Sequence, residues 1–519
     1  MRIVYVTLLI AAASVAAFGQ DINVDIEGSG GGWGVGAPAA TFAGASGRAG
    51  VWNSVSAMNQ LHALVNTNGV SSGVTLQITG AGGPTSTSNP HSSGNFAKLM
   101  EDGLKVATVD DTLFITFNNL LPGRYLLYTY AGLLPYGDCC ETGVMTIPFI
   151  GMEAVGWYPV EPNTFYQGRT HSRQLAVVHP NNRQLQVWIK TNPDADGYPE
   201  GVVTGIQLLQ LPDRIYVRKS APVGGDGRSW NTAFDDLQDA LTLARDWNGA
   251  VNEIWVAEGV YYPTSGTDQY VSFDLPTGIA NLYGGFAGTE TSRDERDPTA
   301  HPTTLSGNIG GPLSGDNTNS ILKMSNNINS DDFALIDGFT ILGGNGGING
   351  NQGQGAGLRM ADGILTVRRC RFIGNRAETG GAVYLTRGTA TFIDCEFIGN
   401  SAASTGGAFA NVQIAPNPAA TARFVNCKFH NNDADFWGGA ADLADGSTSF
   451  VNCIFTGCDS QWEGGAIHAS GSGTTANVYN CSFAEITRTA PAVAWDWATR
   501  ARQHFQFNFL GQLRVANVE

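Results

Sequence analysis

The side chains best placed to do chemistry follow a repeated triplet. Gly-Gly-Ala occurs at 380–382, 406–408, 438–440 and 464–466, and an apolar residue follows each: Val383, Phe409, Ala441 and Ile467. The next residues are Tyr384, Ala410, Asp442 and His468. In strands stacked in register, the apolar residues face inward and those that follow face outward, because successive side chains of a strand alternate. Asp442 and His468 then stand on adjacent rungs of one sheet, a pairing that can take up and return a proton. Just ahead of the same triplets lie Phe436, Trp437, Trp462 and Glu463. Aromatic faces stack on sugar rings, and a carboxylate beside an Asp–His pair suits acid–base work on a glycosidic bond. Three readings are open: glycan binding through Phe436, Trp437, Trp462, Glu463 and Tyr384; catalysis by Asp442 and His468; and a structural spacer. Binding without catalysis leads, because the outward positions after the triplets carry no Arg or Lys base and no stacked Asp series to gather calcium.

The elements that must position these residues form a longer repeat. Cys370, Cys395, Cys427, Cys453 and Cys481 recur at intervals of 25, 32, 26 and 28 residues. Two residues after each is a Phe: Phe372, Phe397, Phe429, Phe455, Phe483. Three before each is Val367, Phe392, Phe424, Phe450 or Val478. Strands this short bury nothing alone, but stacked coils pair every strand with those above and below and turn equivalent residues into ladders. The three-residue offset requires a corner just before the Cys. That position is Asp394, Asn426, Asn452 or Asn480 in four coils and Arg369 in the first, and Asn and Asp tolerate the left-handed backbone of a sharp corner. In-register thiols point alongside one another rather than toward one another, so the Cys column reads as buried free thiols. The 32-residue interval carries an inserted loop, 411–423, bordering the candidate site.

The stacked corner amides resemble the asparagine ladder of right-handed parallel β-helix proteins of the pectate-lyase-like class. Residues 212–262 resemble the entry of that fold, with a helix at about 232–247 whose face carries Phe234, Leu237, Ala240, Leu241 and Ala244. The resemblance implies a polysaccharide lyase or glycoside hydrolase using the Gly-Gly-Ala sheet as the enzymatic alternative. The stretches running from Phe-Ile-Gly-Asn to Gly-Gly-Ala (372–382, 397–408) also resemble the FxxN and GGA[ILV] repeats of polymorphic outer-membrane proteins, which implies an exported, often adhesive passenger. Upstream, 74–80, 112–120, 124–132, 183–190 and 201–211 read as strands between turn signals, and 51–211 resembles a galactose-binding-like jelly-roll sandwich. Irregular early coils are expected over 270–360, with Phe339 and Ile341 as an inward pair.

The expected fold class is therefore all-β: a β-sandwich followed by a right-handed parallel β-helix with an N-terminal capping helix. Composition agrees. Gly supplies 67 of 519 residues and charged residues 14%, which excludes a coiled coil; 42% apolar and 10% aromatic residues exclude simple disorder. A net charge of −16 argues against nucleic acid. Arg2, an apolar run from Ile3 to Ala17 and small residues after it read as a signal peptide over 1–19. That run is shorter than the roughly 20 residues a spanning helix needs, and no later segment suits one. The expected location is secreted or at the cell surface, in association with the outer membrane, with a polysaccharide or cell-surface glycan as partner. Residues 20–50 read as a Gly/Ala-rich lead-in, 212–519 as the β-helix with regular coils over 355–486, and 487–519 as either a terminal cap or a shifted reading frame. No cofactor is expected. Asp194, Asp196 and Glu200 faintly resemble a calcium loop but lack its remaining ligand positions.

Overall fold

The computed structural model describes residues 20–27, 37–46, 49–86, 94–100, 102–108, 110–131, 142–147, 152–155, 167, 171–191, 201–246, 251–275, 281–310, 314–324, 333–347, 353–412, 420–444, 446–471 and 473–488. The chain divides into two compact units, Met1–Pro212 and Asp213–Glu519.

The first unit is built from alternating strands. Ser71–Gly80, Leu113–Asn118, Gly123–Tyr130, Gln184–Thr191 and Gly205–Leu211 fall where the sequence places strands. Among the described residues, one sheet has five strands and another six. Ile22, Val24, Tyr125, Leu127, Ile206 and Leu208 from the first meet Leu76, Ile78, Ile115, Phe117, Val187 and Ile189 from the second in one core, the arrangement of a β-sandwich. The lead-in reading of 20–50 is corrected at its start. Ile22–Ile26 is an interior strand, antiparallel to Gly205–Leu211 and parallel to Trp52–Val55. Five alternating residues were hidden by the Gly and Ala around them.

The second unit is a stack of coils. Among the described residues, four parallel sheets of nine, eight, seven and five strands run along it. One coil passes through Ile364–Arg368, turns at Arg369, continues through Arg371–Ile373 and Arg376–Thr379, and crosses Gly380–Ala382 into Val383–Leu385. The next coil begins at Thr389–Ile393, in register: Val367 pairs with Phe392, Phe372 with Phe397 and Val383 with Phe409. This is a right-handed parallel β-helix.

Ladders fill it as the repeat predicts. Phe372, Phe397, Phe429, Phe455 and Phe483 stack with ring centroids 4.7–5.0 Å apart, as do Phe392, Phe424 and Phe450. Cys370, Cys395, Cys427, Cys453 and Cys481 are free thiols, and so is Cys458. Cys139 and Cys140 lie outside the described residues. Every corner is left-handed, with φ between 48° and 55° at Arg369, Asp394, Asn426, Asn452 and Asn480. Their side chains form an outer amide ladder: Asn480 donates to Asn452 at 2.7 Å, Asn452 to Asn426 at 3.3 Å and Asn426 to Asp394 at 3.1 Å.

A second, buried ladder is formed by the Asn that closes each Phe-x-x-Asn stretch. Asn375, Asn400 and Asn432, three residues after the stacked Phe, have no solvent exposure. Asn375 donates to Asn400 at 3.0 Å and Asn400 to Asn432 at 2.9 Å. Cys458 replaces the amide on the next rung.

The helix that covers the first coil runs from Leu237 to Asp246, shorter than the expected 232–247. Residues 230–232 form a separate turn capped by Ser229, and Phe234 hydrogen-bonds with Tyr216 and Arg218 as a strand residue. Asp236 then accepts the Gln238 N–H and starts the helix. Leu237, Ala240, Leu241 and Ala244 are buried as the periodicity requires. Residues 489–519, including most of the expected cap, and the 1–19 segment lie outside the described residues.

Candidate functional site

Asp442, in Ala441–Leu443, and His468, in Ile467–Ala469, are partners on adjacent parallel strands. The triplets set the approach. The first glycine of each is left-handed, φ 62–69°, and a Cβ on the second would collide with a backbone carbonyl: at Gly407 it would lie 2.1 Å from the Gly439 oxygen. This tight corner brings the residue ahead of the triplet beside the outward residue that follows it. A Cβ at Gly464 would lie 2.8 Å from His468 Cβ, so the imidazole leans over bare backbone.

The pair is formed. His468 Nδ1 lies 2.7 Å from Asp442 Oδ1, and Asp442 is 3% exposed. An ionised carboxylate only accepts, so Nδ1 is the donor of this pair and Nε2 is turned away from it. Glu463 Oε2 stands 3.7 Å from Nε2. Trp437 stacks on the imidazole with centroids 5.3 Å and planes 21° apart. Trp437 and Glu463 are themselves ladder partners. The arrangement holds one imidazole in a fixed orientation, between a buried acceptor and a solvent-facing carboxylate, under an indole roof.

Beside it lies an aromatic surface. Phe436 sits 5.9 Å from Trp462 and 6.4 Å from Trp437. These three are 41%, 53% and 40% exposed respectively, although burial would be the default for large rings in a protein with a continuous core.

Tyr384 does not belong to this surface. It is buried, as are Ala410 and Asp442 in the same column, so the outward face is closed between Tyr384 and Asp442. Gly355 of the preceding coil packs against Tyr384, where a Cβ would approach Tyr384 Cβ to 2.8 Å. Burial raises the Tyr384 hydroxyl above the usual range. Such a side chain packs; it has no free face for a sugar.

The column also extends further than the triplets reveal. Asp274, Lys323, Arg359, Tyr384, Ala410, Asp442 and His468 are successive register partners. Basic residues therefore do occupy outward positions, on coils that lack Gly-Gly-Ala. The usable signal was the pair Leu-Lys-Met (322–324) and Leu-Arg-Met (358–360), each a basic residue between two apolar ones. Lys323 donates to the Tyr270 carbonyl at 3.2 Å, and burial, with Arg359 adjacent, lowers its pKa. Among the described residues no group of three or more His, Cys, Asp or Glu gathers as for a metal. Residues 192–200, with the calcium-loop resemblance, lie outside them, as do 413–419 of the inserted loop.

Residues 318–483 match the family model of the right-handed beta helix region. No match is found among curated proteins. Among solved structures, the chain is similar to the catalytic domain of a GH87 alpha-1,3-glucanase variant in complex with tetrasaccharides, at 10% identity over 85% of this chain and 98% of that one, TM-score 0.22. A GH87 variant in complex with nigerose is similar at 10% identity over 79% and 83%, TM-score 0.19. Likeness at these TM-scores carries no argument about this chain's ligand.

Proposed function

We propose that the β-helix unit binds glycan through the Phe436–Trp437–Trp462 surface, in a protein exported to the medium or the cell surface. The observation that carries this is the exposure of three large rings around one polar site. Sugar rings present apolar faces bordered by hydroxyls. An indole or phenyl face covers the first, while Glu463 and His468 answer the second. Titration of the full chain with a panel of soluble oligosaccharides tests it. Trp437→Ala with Trp462→Ala should abolish binding, and unchanged binding would overturn the assignment. Export is tested by recovering the protein from its native source and sequencing its N-terminus. A start near Gly19 supports it, and an intact Met1 refutes it.

A second reading is favoured by the Asp442–His468 hydrogen bond: the same site cleaves the glycan it holds, with His468 moving the proton. It predicts reducing ends or unsaturated products from a bound glycan, lost in Asp442→Ala and His468→Ala. Binding with no product formed leaves the first reading alone.

A further inference from the structure

His468 is bound on one side and faced on the other. Nδ1 lies 2.7 Å from Asp442 Oδ1, and Glu463 Oε2 stands 3.7 Å from Nε2. A carboxylate only accepts, so the Nδ1 hydrogen stays on Asp442 whether the ring is neutral or charged. The proton that charges the ring therefore comes and goes at Nε2, the nitrogen that faces Glu463. In the neutral ring Nε2 presents a lone pair to a carboxylate, and nothing draws the two together. In the charged ring it presents an N–H, and a charge-assisted bond closes to about 2.7–2.9 Å. The observed separation is wider than that, and Glu463 can close it. Its side chain is 62% exposed. Its backbone is pinned, with the N–H 3.3 Å from the Phe436 carbonyl and its own carbonyl 3.0 Å from the Gly438 N–H, so the side chain alone moves.

The surroundings favour closure once the proton is on. Trp437 stacks on the imidazole at 5.3 Å, and ring faces attract cations. Among the described residues, the titratable groups against His468 are Asp442 from the preceding strand and Glu463 from its own coil. Ile467–Ala469 ends its sheet among those residues, so no further strand faces it there. Closure also takes something from the aromatic surface. Glu463 follows Trp462 in the chain and is the ladder partner of Trp437, so it borders both rings.

Resting on the glycan-binding reading, we propose that His468 and Glu463 form a pH-operated latch on the site. With the ring neutral, the Glu463 carboxylate is open and accepts sugar hydroxyls. With the ring charged, Nε2–H draws Glu463 inward, the sugar loses that acceptor, and the glycan is released. Histidine is the side chain that ordinarily changes charge between about pH 5 and 8, so the latch works across that span. By linkage, bound glycan makes His468 harder to protonate by the same factor.

The test follows the full chain, carrying isotope-labelled histidine, by NMR from about pH 5 to about pH 8. The His468 signal is assigned by its loss in His468→Gln. Glu463→Gln should move the Nε2 midpoint to lower pH, because one of two carboxylates no longer holds the proton. An unmoved midpoint would overturn the latch. In parallel the chain is titrated with soluble glucan, mannan and xylan oligosaccharides. Affinity should fall at least about fivefold from the alkaline to the acid end, and stay level in Glu463→Gln. Level affinity in the native chain, or a fall that persists in Glu463→Gln, would also overturn the proposal. If no oligosaccharide binds at any pH while the midpoint still moves, the latch stands and the glycan reading falls.

Discussion

At the scale of single residues, the Asp442–His468 pair and the buried thiols make opposite demands on protons. Asp442→Ala strips a half-buried imidazole N–H of its acceptor. An unsatisfied group of that kind costs about 1–3 kcal/mol, so denaturant midpoints should fall by that order, whereas Glu463→Gln at the exposed rim should leave them nearly unchanged. The thiols set an alkaline limit. Burial raises Cys370 to about 12, and a neighbouring thiol together with burial raises Cys453 to about 12, while an unfolded thiol ionises near about 8.5. With the folded pKa above the unfolded value, the stabilisation is whole below about pH 8.5 and is lost as pH climbs toward about 12. Melting temperatures should be level through neutrality and fall from about pH 9, less steeply in Cys370→Ala once its own baseline is subtracted. A melting temperature level to about pH 11 would contradict this. The Asp–His pair was legible because the triplets fix its register to the residue. The burial of Tyr384 was not, because Gly355, which covers it, belongs to a coil without the triplet.

At the scale of elements, the ladders decide which coil is weakest. Asn400 accepts from the Asn375 backbone N–H and donates to the Phe372 carbonyl, both at 3.0 Å and both buried. Asn400→Ala leaves both unanswered, and at about 1–3 kcal/mol each the coil should lose roughly 2–6 kcal/mol, read by equilibrium unfolding. Cys458→Asn restores the missing amide of the same column and should raise the melting temperature. A fall would mean the thiol is packed where an amide does not fit. The coil repeat was readable because each rung repeats Cys-x-Phe in the same phase. The Asn of the Phe-Ile-Gly-Asn stretches is legible as part of the repeat, but its burial is not, because the Gly before it and the Asn itself read equally as an exposed turn. The helix boundary was misplaced because Phe234 fits the apolar face of a helix and the edge of a strand equally well, and tertiary pairing with Tyr216 decides between them.

At the scale of the whole molecule, each unit has a core of its own, one of facing sheets and one of stacked rings. Calorimetry should therefore resolve two transitions, with Asn400→Ala lowering only one. A single transition shifted as a whole would show that the units unfold together. The stacked unit has a further property. Its two amide ladders pass amide-to-amide hydrogen bonds in opposite senses. In the buried one, Asn375 and Asn400 each hand one hydrogen to the amide of the following coil and the other to a backbone carbonyl of the preceding coil. In the outer one, each amide hands a hydrogen to the preceding coil, from Asn480 down to Asp394. Asp394 is a carboxylate and can only receive, so it orients every amide above it, as a fixed pole orients a row of compass needles. The buried row has no such pole, since Asn375 and Asn400 are each held from both neighbouring coils.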